Sequence, residues 1–256
     1  MLAQPQEILE LATPMPSKTE DMAPTCIAFP HSDPTYFLAG TEEGTIYPCH
    51  RYDRAGAKAG VDARVAYKGH TAPVMSLDFH TPKGAQDLGD LVLSSSIDWT
   101  VKLWKVRPAA ATTTGTAGTQ AAAAPLVEFH REDLVYDARW SPVHPGVFAL
   151  VDGAGSLEIF DINVDVEVPV AKASPGDKSN MGYVKRSLNK VAWEGKEGRN
   201  VAVGGLDGVA SVFEVGSELG GADNVRLEEW SGVKKQVQRW DVLGGCLLYT
   251  SPSPRD

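Results

Sequence analysis

A histidine, a serine and an aspartate stand in one short stretch that opens "GHTAPVMSLDFH" and closes "SSSIDWTVKLWKV", within residues 69–106. His70, Ser94 and Asp98 are the residue types of acyl transfer: an imidazole base, a hydroxyl nucleophile and a carboxylate that orients the base. Such chemistry also needs a pocket and a nucleophile held out on a sharp turn. No G-x-S-x-G elbow surrounds Ser94, Ser95 or Ser96. Bracing inside a sheet uses the same residue types, provided every donor and acceptor is matched.

Other candidate sites fail on spacing. "DINVDVEV" begins like a calcium loop at Asp161, Asn163 and Asp165, but the glycine position holds Val166 and the twelfth holds Lys172. "VGGLDG" (203–208) lacks the Lys-Ser/Thr of a phosphate loop and reads as a hairpin turn. The six histidines have no metal-ligand spacing. Cys26, Cys49 and Cys246 are far apart with no CxxC pair, as expected of reduced thiols in a cytosolic protein. No catalytic, cofactor or metal residue is expected.

The elements that must position these residues repeat. An alternating run ending in an aromatic is followed by a polar gap, an apolar run, an acidic or Gly turn and a further alternating run. The layout appears at "TCIAFP…YFLAGTEEGTIYPCH", at "VMSLDFH…LVLSSSIDWTVKLWKV", at "VYDARWSP…VFALVDGAGSLEIFDI" and at "LNKVAWE…NVAVGGLDGVASVFEV". The closing aromatics Phe29, Phe79, Trp140 and Trp193 are 50, 61 and 53 residues apart. Runs between the units, "ARVAYKG", "APLVEFH" and "VPVAKA", supply a last strand for each. Short strands of this kind predict an all-β antiparallel fold, and four-stranded units in series predict a β-propeller.

The predicted units are 23–68, 69–130, 131–172 and 173–226. Residues 1–22 are expected to end a preceding blade or form a linker. The Ala/Thr-rich tract 108–125 lacks branched apolar and aromatic side chains and is expected to be a disordered loop. Leu227, Trp230, Lys234, Val237 and Trp240 have helical spacing, which predicts a short packed helix over 227–243. The remainder, 244–256, breaks all pattern and reads as a non-native tail.

With 24 basic against 33 acidic side chains the net charge is −9, which repels nucleic acid and acidic membranes. No apolar run reaches the roughly 20 residues of a membrane span, and the acidic, Pro-bearing N-terminus does not resemble a signal peptide. A cytoplasmic protein is expected.

The second unit resembles the WD40 repeat motif: Gly69-His70 opens it, Asp98 sits in the tight turn and "TVKLW" ends in Trp104, with "WK" in place of the usual "WD". That resemblance implies a structural hydrogen-bond network of His70, Ser94 or Ser96, Asp98 and Trp104. Trp99 stands apart: a large aromatic in a turn has little core to fill, and it either suits a partner contact or folds back on its neighbour at the rim.

More specifically, "SSSIDWTVKLW" and "VYDARWSPVHPGVFALVDG" resemble the last WD repeats of the cytoplasmic dynein intermediate chains, a likeness covering about residues 7–240. Axonemal dynein intermediate chains are similar, and "DINVDVEVP" favours the cytoplasmic branch. The resemblance implies a partial propeller, about four blades of a ring of about seven. It implies a non-catalytic scaffold of a microtubule motor, located in the cytoplasm on the cytoskeleton, that docks on the dynein heavy chain tail and couples the motor to cargo adaptors. Light chains and dynactin would bind an N-terminal region lying outside this chain. An axonemal arm subunit, a general WD40 interaction module of another complex, and an enzyme with accessible His70, Asp98 and Ser94 are the other readings. Loops around His70, Trp99 and Gly153 are the expected contacts, by analogy with propellers that gather contacts on one face. An open arc of blades implies marginal stability or association.

Overall fold

The computed structural model describes residues 9, 11–12, 21–53, 59–62, 64–81, 84–106, 121–176 and 185–247. Its architecture is four sheets in series, antiparallel but for one pairing in the first, followed by a helix, a partial β-propeller.

The first sheet holds β1 (Pro24–Ala28), β2 (Tyr36–Thr41), β3 (Thr45–His50), β4 (Gly60–Val61) and β5 (Val65–Lys68). The second holds β6 (Val74–Phe79), β7 (Leu91–Ser96) and β8 (Thr100–Lys105). Its outer strand is β10 (Val127–His130), after β9 (Ala121–Ala123), which belongs to the first sheet. The third holds β11 (Val135–Trp140), β12 (Val147–Asp152), β13 (Leu157–Asp161) and β14 (Ala171–Ala173). The fourth holds β15 (Leu188–Trp193), β16 (Asn200–Gly205) and β17 (Ala210–Glu214). The first strands lie side by side in the order β1, β6, β11, β15, so the sheets stack as neighbouring blades.

One local device recurs. The register of β1, β6, β11 and β15 slips at the same place, between Pro24 and Cys26, Val74 and Ser76, Val135 and Asp137, and Leu188 and Lys190. A bulge re-aims the side chain that follows it. Here Ser76 Oγ accepts the Ala138 N–H of the next blade at 3.1 Å, and Asp137 Oδ2 accepts the Val191 N–H at 3.3 Å. Asp78 Oδ2 adds a third bridge, accepting the Trp140 N–H at 2.8 Å. Apolar packing fills the space between: Leu93, Val101 and Phe129 of the second blade share a core with Ala138, Phe148 and Phe160 of the third.

Helix α1 (Leu227–Leu247) returns across the second and third blades, where Trp230, Val233 and Val237 join that same core. Glu229 both starts and docks it. Its Oε1 accepts the Arg226 N–H at 3.1 Å, as a capping carboxylate does, and its Oε2 meets His144 Nδ1 at 2.9 Å.

Three sequence expectations need correction. Ala121–Ala123 lies inside the tract expected to be disordered, yet forms β9 by pairing in parallel with β5, because backbone hydrogen bonds to an open strand edge require no large side chain. The rest of that tract, 107–120, is outside the described residues. Leu227 and Lys234 are not on the buried stripe, which is Trp230, Val233 and Val237. The helix also runs on to Leu247, past the expected end at 243, since extending a packed helix gains one bond per residue without a new nucleus. Residues 248–256 of the expected tail are outside the described residues.

Candidate functional site

The turn between β7 and β8 presents Asp98 to the start of β6, and β7 presents Ser94 to the middle of β8. His70 Nδ1 lies 2.9 Å from Asp98 Oδ2, and His70 Nε2 lies 2.6 Å from Ser94 Oγ. Those are the spacings of a Ser-His-Asp triad, so geometry between the three does not separate bracing from catalysis.

The surroundings do. The Trp104 indole N–H donates to Ser94 Oγ at 2.7 Å. The Asp98 carboxylate can only accept, so His70 Nδ1 carries the proton and donates to it. Burial holds the His70 imidazole below its ordinary range, against the pull of Asp98, so Nε2 is a bare acceptor for the Ser94 hydroxyl. The donors thus run one way, from Trp104 to Ser94 to His70 to Asp98. Burial opposes ionisation of Asp98, but hydrogen bonds from His70, Thr100 and Thr71 outweigh it and hold the carboxyl well below its usual range. The Thr100 hydroxyl donates to Asp98 Oδ1 at 2.6 Å and the Thr71 N–H to Oδ2 at 3.1 Å. Every polar atom of the chain is used, and the His70 ring and Ser94 are both 0% exposed. Substrate cannot reach a serine placed so.

Ser96 is outside this chain. Its hydroxyl donates to the Ala72 carbonyl at 3.1 Å and accepts the Asp98 N–H at 3.1 Å, fixing the turn from the other side. Cys49 is buried, and burial, with Asp62 adding to it, pushes its thiol up to about 12, where it is inert. Among the described residues no group of three or more His, Cys, Asp and Glu could hold a metal ion, and no helix is long and apolar enough to cross a membrane.

Trp99 sits in the same turn and is 50% exposed. Its φ is 68°, in the left-handed region that costs an L-residue roughly 1–2 kcal/mol. The corresponding turns of the other blades place glycine there, Gly44 at 83°, Gly155 at 80° and Gly208 at 72°. The turn therefore asks for glycine, and the second blade presents an indole instead. Of the three loop positions expected to meet a partner, His70 is buried and Gly153 offers no side chain. Trp99 alone of the three projects a large apolar group.

Four serial sheets, with a His-Ser-Asp-Trp chain bracing the second, define a WD40-repeat protein of the β-propeller class. The family model described as "WD domain, G-beta repeat" matches residues 63–105, which run from β5 through β6, β7 and β8 of that blade. Within the class the chain is homologous to the intermediate chain of cytoplasmic dynein. It is 33% identical over 232 residues to the cytoplasmic dynein 1 intermediate chain of Drosophila melanogaster, an alignment covering 90% of this chain and 30% of that protein. The chain thus spans about a third of the length of the curated relative it matches.

Proposed function

We propose that this chain is a non-catalytic propeller portion of a cytoplasmic dynein intermediate chain. It docks on the tail of the dynein heavy chain and, within the complete motor, helps couple it to cargo adaptors in microtubule-based transport. Its place would be the cytoplasm, on the cytoskeleton. The observation that carries the reading is the extent of the likeness, which takes in 90% of the chain and is not confined to the stretch that fits the general repeat model. The sealed His70-Ser94-Asp98 chain supports a scaffold over a hydrolase, because its hydroxyl and its imidazole are both fully buried inside the sheet.

The light chains and dynactin would bind elsewhere on the complete protein. The test is retention of purified dynein heavy-chain tail on the immobilised chain, with circular dichroism confirming the sheet. Saturable retention is expected; a folded chain that retains no heavy chain would leave a WD40 interaction module of another complex.

A further inference from the structure

Arg131, the first residue after β10, ties exposed loops of two neighbouring blades to one another. Its backbone N–H donates to the Trp99 carbonyl in the β7–β8 turn at 2.8 Å, and its Nη2 donates to the Glu167 carbonyl in the β13–β14 connection at 2.9 Å. The side chain between those bonds is 13% exposed. Its Nη1 donates to Glu158 Oε2 at 3.0 Å, and the guanidinium lies 4.8 Å from the centre of the Phe160 ring. A planar cation gripped by two oxygens and a ring face keeps little rotamer freedom, so the spacing of the two loops is set.

Both loops are held from within, and both expose an apolar side chain. Trp99 keeps its left-handed φ of 68° with half its surface exposed. Backbone strain of that kind persists only where the surrounding structure over-determines it, and it gathers where a ligand is met. In the second loop Asp165 Oδ1 accepts the Glu167 N–H at 2.7 Å and the Val168 N–H at 3.2 Å, and Val168 is 60% exposed. Apolar groups carried on backbone already fixed bind with little ordering cost. Around them Glu132, Asp165 and Glu167 are exposed, and none of the three is in an ion pair among the described residues. The cations beside them are taken up, since Arg131 and Lys172 both pair with Glu158, at 3.0 and 2.7 Å.

We infer that Trp99 and Val168 form one docking surface across the second and third blades, for a partner segment that presents an apolar side chain flanked by lysine or arginine. The inference rests on the heavy-chain reading, under which that segment belongs to the dynein heavy chain tail. Apolar area supplies the affinity, and the carboxylates select a basic segment over an acidic one. The chain's charge of −9 steers such a segment in from a distance. Because the two loops belong to different blades, the surface exists only where those blades are stacked.

The probe is purified dynein heavy-chain tail, its affinity and on-rate measured on the immobilised whole chain at low and high salt. Val168→Ser removes exposed apolar area and keeps the backbone bond to Asp165, and it should weaken capture about tenfold. Glu132→Gln with Glu167→Gln removes two charges and keeps the Glu167 carbonyl on Arg131. That pair should slow association severalfold at low salt and flatten the salt dependence. The control pair Asp207→Asn, Glu214→Gln, exposed on the fourth blade, should do neither. Tail captured equally well by Val168→Ser and wild type, or a salt response that the two pairs of variants alter alike, would overturn the surface and leave the heavy-chain reading standing. A folded wild-type chain that captures no tail would overturn that reading, and the surface with it.

Discussion

The Trp104 indole N–H donates to Ser94 Oγ at 2.7 Å and ties that hydroxyl into the buried sheet. Ser94 in turn serves His70 Nε2 at 2.6 Å, so removing its hydroxyl strands a buried donor and a buried acceptor together. Ser94→Ala is expected to destabilise the chain by about 2–6 kcal/mol in urea unfolding, about 1–3 for each of the two stranded groups. Trp104→Phe should cost less on top of Ser94→Ala than alone, because the indole has already lost its partner. Additive losses in that double-mutant cycle would count against a shared chain.

Trp99 separates fold from function. Because its φ of 68° suits glycine, Trp99→Gly should leave stability unchanged or raise it by up to about 1 kcal/mol. The same change removes the exposed indole and should weaken heavy-chain capture at least about tenfold if Trp99 is an interface anchor, as aromatic hot spots are. Thermal unfolding and capture by the heavy-chain tail are measured on the same preparation. Unchanged capture would return Trp99 to a side chain without a partner.

The repeat was legible because alternation and the closing aromatics Phe79 and Trp140 are local signals. The tie between Ser76 and the Ala138 N–H was not, since it depends on a bulge and on which first strands become neighbours. β9 escaped for a related reason: three alanines carry no strand signal, and the pairing comes from the open edge of β5. Helical spacing announced α1, but the surface it covers comes from the cleft between the second and third blades, which placed Val233 inside and Leu227 outside. The bracing set of His70, Asp98 and Trp104 was legible through the resemblance to the repeat motif, which left Ser94 and Ser96 open. The choice of Ser94 rests on burial and on the contact from Trp104, ten positions along the chain and in the adjacent strand.

Two buried groups give the stability opposite pH slopes. Burial lowers His80 from 6.5 to about 4, so its contribution is full above the ordinary histidine value and is lost as the pH falls through that window. Burial raises Asp78 from 3.8 to about 6, so its contribution is full at the acid end and is lost as the pH rises towards about 6. Relative to the wild-type chain, His80→Gln should lose stability as the pH rises from 4 to 6, and Asp78→Asn should gain it. Urea midpoints across that range decide the matter; parallel curves for the three proteins would refute it.

Trp230 is the point at which α1 holds two blades together. It is buried against the second blade, where it covers Gly84, and lies in the core that the second and third blades share. Trp230→Ala is expected to cost about 3–5 kcal/mol and to release α1, because the aromatic area is lost and the cavity stays open. Hydrogen exchange should then show amides 227–247 unprotected while β11–β13 keep most of their protection. Leu227→Ala should change nothing measurable, as that side chain is exposed.

The fourth blade carries the chain's apolar liability. Leu206, Val209 and Val212 are 77%, 56% and 67% exposed. Ala192, Ala202 and Val212 stand in register across β15, β16 and β17, forming an apolar stripe on one face. On the outer edge of β17 no strand pairs among the described residues. An open edge beside an apolar face is a template for another chain, and in a purified sample the available partner is a second copy. Sedimentation velocity over a dilution series should show the wild-type chain in reversible association. Leu206→Lys with Val212→Lys should shift it to monomer without lowering its unfolding midpoint, since both changes put charge at solvent-facing positions. Persistent association of that variant would move the interface to another blade, and a wild-type chain that stays monomeric at every concentration would dispose of the association altogether.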